Sequence, residues 1–142
     1  QIAAVHGFAA VGVASAAKRE LIEETGAAFV AAGPGAAEAV RDLLPDGADV
    51  LVDLVGGEPL RALAALVKDP AHLVSAADAA TATELGGAGR ERSEGVLEKI
   101  VGVVEAGLVD PHVLETYPLA RAAEAIARVE QGHLGGKIVI VP

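Results

Sequence analysis

Cysteine is absent from all 142 residues, which excludes disulfides, thiolate metal sites and a thiol nucleophile. Aromatic residues make up only 2% of the chain, so a core must be built from Ala, Val and Leu, side chains that suit helices packed closely on a sheet. No apolar run approaches the roughly 18 residues of a membrane span, and nothing at the N-terminus reads as a basic region followed by a signal core. The expectation is a soluble, cytoplasmic domain. Basic residues are also few, 11 against 20 acidic, for a net charge of −9. They are scattered, so a nucleic-acid backbone would be repelled and is not an expected partner. A phosphorylated small ligand is still compatible with this charge if a few donors gather locally.

What remains is ample apolar content, 52%, in a chain the length of one domain. Short apolar runs alternate with amphipathic stretches, the pattern of β-α units and a doubly wound parallel sheet with helices on both faces. The run AAVGVAS at 9–15 is apolar on both faces, as a buried parallel strand must be. A helix is expected at 17–25 with Leu21 and Ile22 inward and Gly26 as its C-cap. A short strand at 28–32, a Gly-Pro-Gly turn and a helix at 36–44 follow. The clearest strand, DVLVDLV at 49–55, runs into Gly56 and Gly57. A helix at 59–68 then has Pro in its first turn, a favoured position.

A strand is expected at 72–76 and a loop, with room in it for a damaged strand, at 77–93. Ser93 is placed to cap a helix at 94–106, in which Val96, Leu97, Ile100, Val101 and Val104 recur at helical spacing. An extended segment at 111–117, a helix at 119–131 and a last strand at 137–141 complete one α/β domain, with no internal repeat or linker. Residues 1–6 read as the end of a helix capped by Gly7, with no strand before it. A doubly wound domain normally opens with a strand and a glycine-rich turn, so the chain is expected to enter partway through its first unit.

The strings QIAAVHGFAAVGVASAAKRELIEETGA, DVLVDLVGGEPLRALAALV, HLVSAAD and YPLARAAEAIARVEQGHLGGKIVIVP together resemble, in order and spacing, the cofactor domain of medium-chain dehydrogenases/reductases, near the zinc-independent quinone oxidoreductase branch. The resemblance spans nearly the whole chain. It implies a Rossmann-like fold and a parent protein that reduces a carbonyl or an activated double bond, such as a quinone or enone, by hydride transfer without zinc. The family's opening strand, its glycine-rich phosphate loop and its separate substrate domain have no counterpart in these residues. Relatives often pair subunits through an apolar strand shortly after the HLVSAAD position. Here that stretch is Leu85, Gly86, Gly87, Ala88, Gly89 and Arg90, which puts the usual homodimer contact in question.

Ser15, Lys18 and Arg19 fall where a dinucleotide fold places the adenosine ribose. No acid lies between Ala9 and Arg19, so NADP is favoured over NAD, with Ser15 donating a hydrogen bond and Lys18 or Arg19 giving charge-assisted contacts to a 2′-phosphate. The plain alternative is a helix-capping Ser15 beside two solvated cations. Val55, Gly56 and Gly57 end the clearest strand at the edge where ligands bind in open α/β sheets, and glycine would let a ribose approach the backbone; an ordinary turn explains them equally. Ser75, Ala76 and Ala77 end the next strand, which the resemblance turns toward the nicotinamide.

Asp53 must be hydrogen-bonded or stand at the edge of a crevice, and is not read as catalytic. His6, His72, His112 and His133 are spread without paired spacing, so metal binding is not expected. Lys137 either approaches the cofactor or merely flanks an edge strand. No nucleophile elbow is present, and hydride transfer needs none, because the cofactor carries the chemistry. A phosphoacceptor receiver domain would need two further acids after the first strand, which AAVGVAS and AFVAAG lack. A non-catalytic Rossmann-like binding domain stays open, since a missing phosphate loop leaves the pyrophosphate without its helix N-terminus.

Overall fold

Short apolar runs set between one-sided helices can be buried only as strands with helices against them, and the computed structural model alternates in this way throughout. It describes residues 1–132 and 134–142. A single turn of helix, α1 (Ile2–Val5), leads to β1 (Val11–Ala14), a 3-10 turn (Ala16–Lys18), α2 (Arg19–Glu24), β2 (Ala28–Ala31) and α3 (Ala36–Leu43). The middle of the chain forms β3 (Leu51–Asp53), α4 (Gly57–Ala64), a 3-10 turn (Pro70–His72), β4 (Leu73–Ser75), α5 (Ala79–Glu84) and β5 (Ala88–Gly89). The last third forms α6 (Val96–Glu105), β6 (Val113–Pro118), a 3-10 turn (Leu119–Arg121), α7 (Ala122–Glu130) and β7 (Lys137–Val141). No helix among the described residues is long and apolar enough to cross a membrane.

Every strand pairing is parallel, in three groups: β1 with β2, β3 with β4 and then β5, and β6 with β7. β1 and β3 each keep one unpaired edge. Helix α2 lies against β1 and β2, and Gly12 makes this approach possible: a Cβ there would stand 2.8 Å from Ile22 Cγ2. The best-buried cluster is Leu60 of α4, Leu73 of β4 and Ala82 of α5, flanked by Leu51, Ala64 and Leu85.

Three sequence expectations are corrected. The stretch 77–93 is not loop throughout, because Asp78 accepts a hydrogen bond from Thr81 N at 3.0 Å and so starts α5, whose Thr81 and Ala82 are buried; residues 88 and 89 then pair with β4 as β5, the short strand for which the loop had room. The strand expected at 49–55 ends at Asp53, whose side chain captures the next backbone N–H groups and turns the chain out of the ladder. Ser93 does not cap α6: Gly95, at φ 74°, is the residue before its first turn. The side chains of Val96, Leu97, Ile100 and Val101 on α6 are exposed.

The buried cluster is small enough that single truncations should be felt. Leu73→Ala and Leu60→Ala are each expected to lower unfolding stability by about 2–5 kcal/mol, whereas Leu97→Ala on the exposed side of α6 should change it by less than about 0.5 kcal/mol. Denaturant titration followed by circular dichroism checks both.

Candidate functional site

The ends of β3 and β4 are joined by a buried carboxylate. Asp53 is 8% exposed and Ser75 1%, on adjacent strands in register. Ser75 Oγ donates to Asp53 Oδ2 at 2.5 Å, and the Asp53 carboxylate also accepts Val55 N at 3.1 Å and Gly56 N at 3.0 Å. Ser75 Oγ in turn accepts Asp78 N at 2.8 Å and Ala77 N at 3.2 Å. Asp78 reaches back to the loop after β3, with Oδ2 accepting Gly57 N at 3.2 Å. The loop after β3 and the loop after β4 are thereby held as one unit. Arg61 of α4 donates to Glu84 Oε2 at 2.8 Å and Thr81 Oγ1 at 3.3 Å, tying α4 to α5 behind that unit.

Burial raises the pKa of Asp53, but the hydrogen bonds from Ser75, Gly56 and Val55 outweigh it and leave the carboxyl below its ordinary range. Asp78 is also held low, by its hydrogen bonds from Thr81 and Gly57. Both are therefore ionised at neutral pH. Gly56 sits at φ 78°, and a Cβ on it would lie 2.7 Å from Asp78 Cβ. The approach that glycine permits at this position is that of Asp78, where the sequence had pointed to a ribose. Beside it Leu54 and Val55 are 72% and 71% exposed, an apolar lip on the carboxyl-end edge of the sheet.

Four of the seven expected cofactor residues, Val55, Gly56, Ser75 and Ala76, are thus brought together; Ala76 N donates to Asp53 O at 2.9 Å. Ser15, Lys18 and Arg19 form a separate corner at the end of β1, sharing no hydrogen bond with the first group among the described residues. Ser15 is exposed and precedes the 3-10 turn without a side-chain cap. Lys18 Nζ donates to Leu134 O at 2.5 Å, while Arg19 pairs with Glu23 at 2.9 Å and lies 4.3 Å over the Phe29 ring. Lys137 Nζ donates to Pro111 O at 2.8 Å at the start of β7. A surface depression of about 500 Å³ between β2 and α3, lined by Phe29, Pro34, Ala39 and Leu43 among others, contains none of the seven.

The sequence reading missed Asp78 and Thr81 by assigning them to a loop. Their signal was an Asp three residues before Thr at the head of an alanine-rich stretch. The contact between Lys18 and Leu134 spans 116 positions and has no sequence signature. Of the histidines, His6 lies near Phe8, His72 Nδ1 is 3.1 Å from Asp49 O, and His112 flanks Asp110; His133 lies outside the described residues. No group of three His, Cys, Asp or Glu among the described residues is placed to hold a metal.

A carboxyl with a depressed folded pKa contributes stability above its unfolded value, near pH 4, and that contribution disappears as pH falls through the folded value. Asp53→Asn is expected to cost about 2 kcal/mol at pH 7 and to make unfolding stability less steep in pH between about 5 and 2 than in the parent chain. Parallel slopes in urea titrations across that range would contradict the assignment.

Residues 25–140 match the family model described as zinc-binding dehydrogenase. A stretch of 44 residues, 31% of the chain, is 43% identical to a mitochondrial NAD(P)H oxidoreductase of Bos taurus, of which it covers 11%. Among solved structures, a protein of Sinorhizobium meliloti 1021 assigned as an alcohol dehydrogenase superposes with a TM-score of 0.79 at 27% identity, over 99% of this chain and 43% of that one. The quinone oxidoreductase of Coxiella burnetii superposes with a TM-score of 0.73 at 20% identity, over 99% of this chain and 47% of that one. The chain spans less than half the length of these relatives. With the family model covering most of its residues and the fold shared over nearly all of them, the chain belongs to the zinc-binding dehydrogenase family of medium-chain dehydrogenases/reductases.

Proposed function

We propose that this chain is the cofactor-binding part of an NADPH-dependent oxidoreductase that reduces a small carbonyl compound or an activated double bond, such as a quinone or enone, without zinc. One observation carries the reading: the loops after β3 and β4 are clasped into one ligand-facing edge at the carboxyl ends of parallel strands, where open α/β sheets hold nucleotides. Membership of a dehydrogenase family and the names of the matched oxidoreductases support it. When bound, the nicotinamide supplies the hydride; the protein's task is to bind, orient and keep water away. The residues present fit such a group, with an apolar lip at Leu54 and Val55, rigid backbone at Gly56, Ser75 and Ala76, and a basic corner at Ser15, Lys18 and Arg19. They do not fit zinc, since cysteine is absent and the described residues hold no ligand cluster, and no step is drawn through that metal.

Preference for NADP over NAD rests on the basic corner. To meet a 2′-phosphate, Lys18 would exchange the Leu134 carbonyl for the phosphate, and Arg19 would leave its exposed pair with Glu23, which is worth at most about 1 kcal/mol. The stretch 85–90, whose place in relatives often holds a subunit-pairing strand, contains only the two-residue strand Ala88–Gly89, paired on one side with β4.

Fluorescence titration of the natural polypeptide that carries this chain with NADPH and NADH tests the proposal. NADPH is expected to bind at least about tenfold more tightly, and Lys18→Ala with Arg19→Ala should weaken NADPH by about tenfold or more while leaving NADH within about twofold. Absence of binding to either nucleotide would overturn the cofactor assignment. Equal affinity for both, unchanged by the double substitution, would remove the role given to Lys18 and Arg19.

A further inference from the structure

We infer that the outer edge of β2 is a docking site for an extended, basic peptide segment of a partner protein, which adds as a strand beside Phe29 and Ala31 and lays alternate side chains over the depression between β2 and α3. The inference does not depend on the cofactor reading, since none of the seven expected cofactor residues lines that depression.

The backbone of β2 is satisfied on one side only. Ala28 N donates to Ala10 O at 2.9 Å and Ala32 N to Ala14 O at 2.8 Å, so these residues face β1. Alternate residues of a parallel ladder turn their N–H and C=O groups to opposite sides, which directs those of Phe29 and Ala31 away from β1. No strand stands on that side among the described residues. Edge strands are usually guarded against a further chain by lysine, proline or a bulge. Residues 27–32, AAFVAA, carry no charge and no proline, and their register with β1 runs without a bulge.

The surface beside this edge suits the side chains of an added strand. The depression of about 500 Å³ is floored by Phe29, Ala36, Ala39 and Leu43, the last of them 49% exposed. Main-chain hydrogen bonds to Phe29 and Ala31 would hold the incoming backbone, and every second side chain would fall on this apolar floor.

Charge selects the occupant. Asp42 lines the same depression, and Glu38 lies one turn before it on the same helix face. Neither forms an ion pair among the described residues. A second copy of this chain pairing antiparallel at β2 would set α3 beside its own image, acids against acids. A segment that carries a lysine or arginine next to its apolar side chains meets Asp42 with opposite charge instead.

The probe is the amidated peptide Val-Thr-Val-Thr-Lys, labelled at its N-terminus with fluorescein, whose valines and lysine share one face of a strand. It is titrated by fluorescence anisotropy into the natural polypeptide that carries this chain. Saturable binding is expected, about fivefold tighter than that of the same peptide ending in glutamate. In the complex, amide hydrogen exchange should slow at Phe29 and Ala31 and stay unchanged at Ala28 and Ala32, whose N–H groups already serve β1. Ala31→Pro removes an outward N–H and leaves the ladder with β1 intact, as proline on a strand edge can, and should weaken the peptide about tenfold or more. Asp42→Lys should abolish or reverse the preference for lysine. Circular dichroism shows whether each variant is folded. Absence of saturable binding to the parent overturns the inference, as does binding that leaves exchange at Phe29 and Ala31 unchanged; neither outcome depends on a variant. Sedimentation that finds the peptide-free polypeptide dimeric, with Ala31→Pro monomeric, would give the edge to a second copy and overturn the assignment of a basic partner.

Discussion

The middle of the molecule depends on one buried carboxylate. Asp53 stands at the end of a three-residue strand, and taking its charge out of water would be costly without partners. Three donors meet it, one from the adjacent strand and two from the loop it starts. The same contacts that satisfy the charge end β3, aim the Gly56–Gly57 turn and lock β4 in register. Because the Ser75 hydroxyl both donates to Asp53 and accepts from the backbone after β4, ionisation of one side chain fixes two loops.

A division of labour follows from this. The crevice edge is poor in free donors and carries negative charge, whereas the corner at the end of β1 carries the cations Lys18 and Arg19. The charges of the acids nearest the sheet edge are stabilised where they stand by hydrogen bonds from Ser75, Thr81 and the loop backbone.

The arrangement of the sheet is equally informative. β1 and β3 have unpaired edges, and Val50, Val52, Leu54 and Val55 around β3 are exposed, as are four apolar side chains of α6. The largest buried cluster joins α4, β4 and α5, and Val30, Val40, Val67 and Ala125 are buried apart from it. Less than half the length of the solved relatives is spanned by this chain, while almost all of the chain superposes on them.

Much of the fold was legible in the residues. Composition pointed to a core of small aliphatics, and alternating apolar runs pointed to an α/β domain and located six of the seven strands among the described residues to within two residues, the last of them in full. The strands at 49–55 and 72–76 were drawn too long because periodicity measures hydrophobicity and not pairing: Val55 is apolar but its N–H belongs to Asp53, and His72 is drawn into a 3-10 turn after Pro70. The helix α5 was missed because six residues of Ala, Thr and Glu carry no apolar periodicity, and only its buried contacts with α4 and β4 reveal which face is inside. Family membership also showed in the sequence, through the order and spacing of its strings. What only the tertiary structure decided is the chemistry of the edge. Asp53, Ser75 and Asp78 are separated by up to 25 positions, and whether their oxygens meet one another's loops is set by parallel strand register, a long-range quantity that no local pattern of side chains encodes.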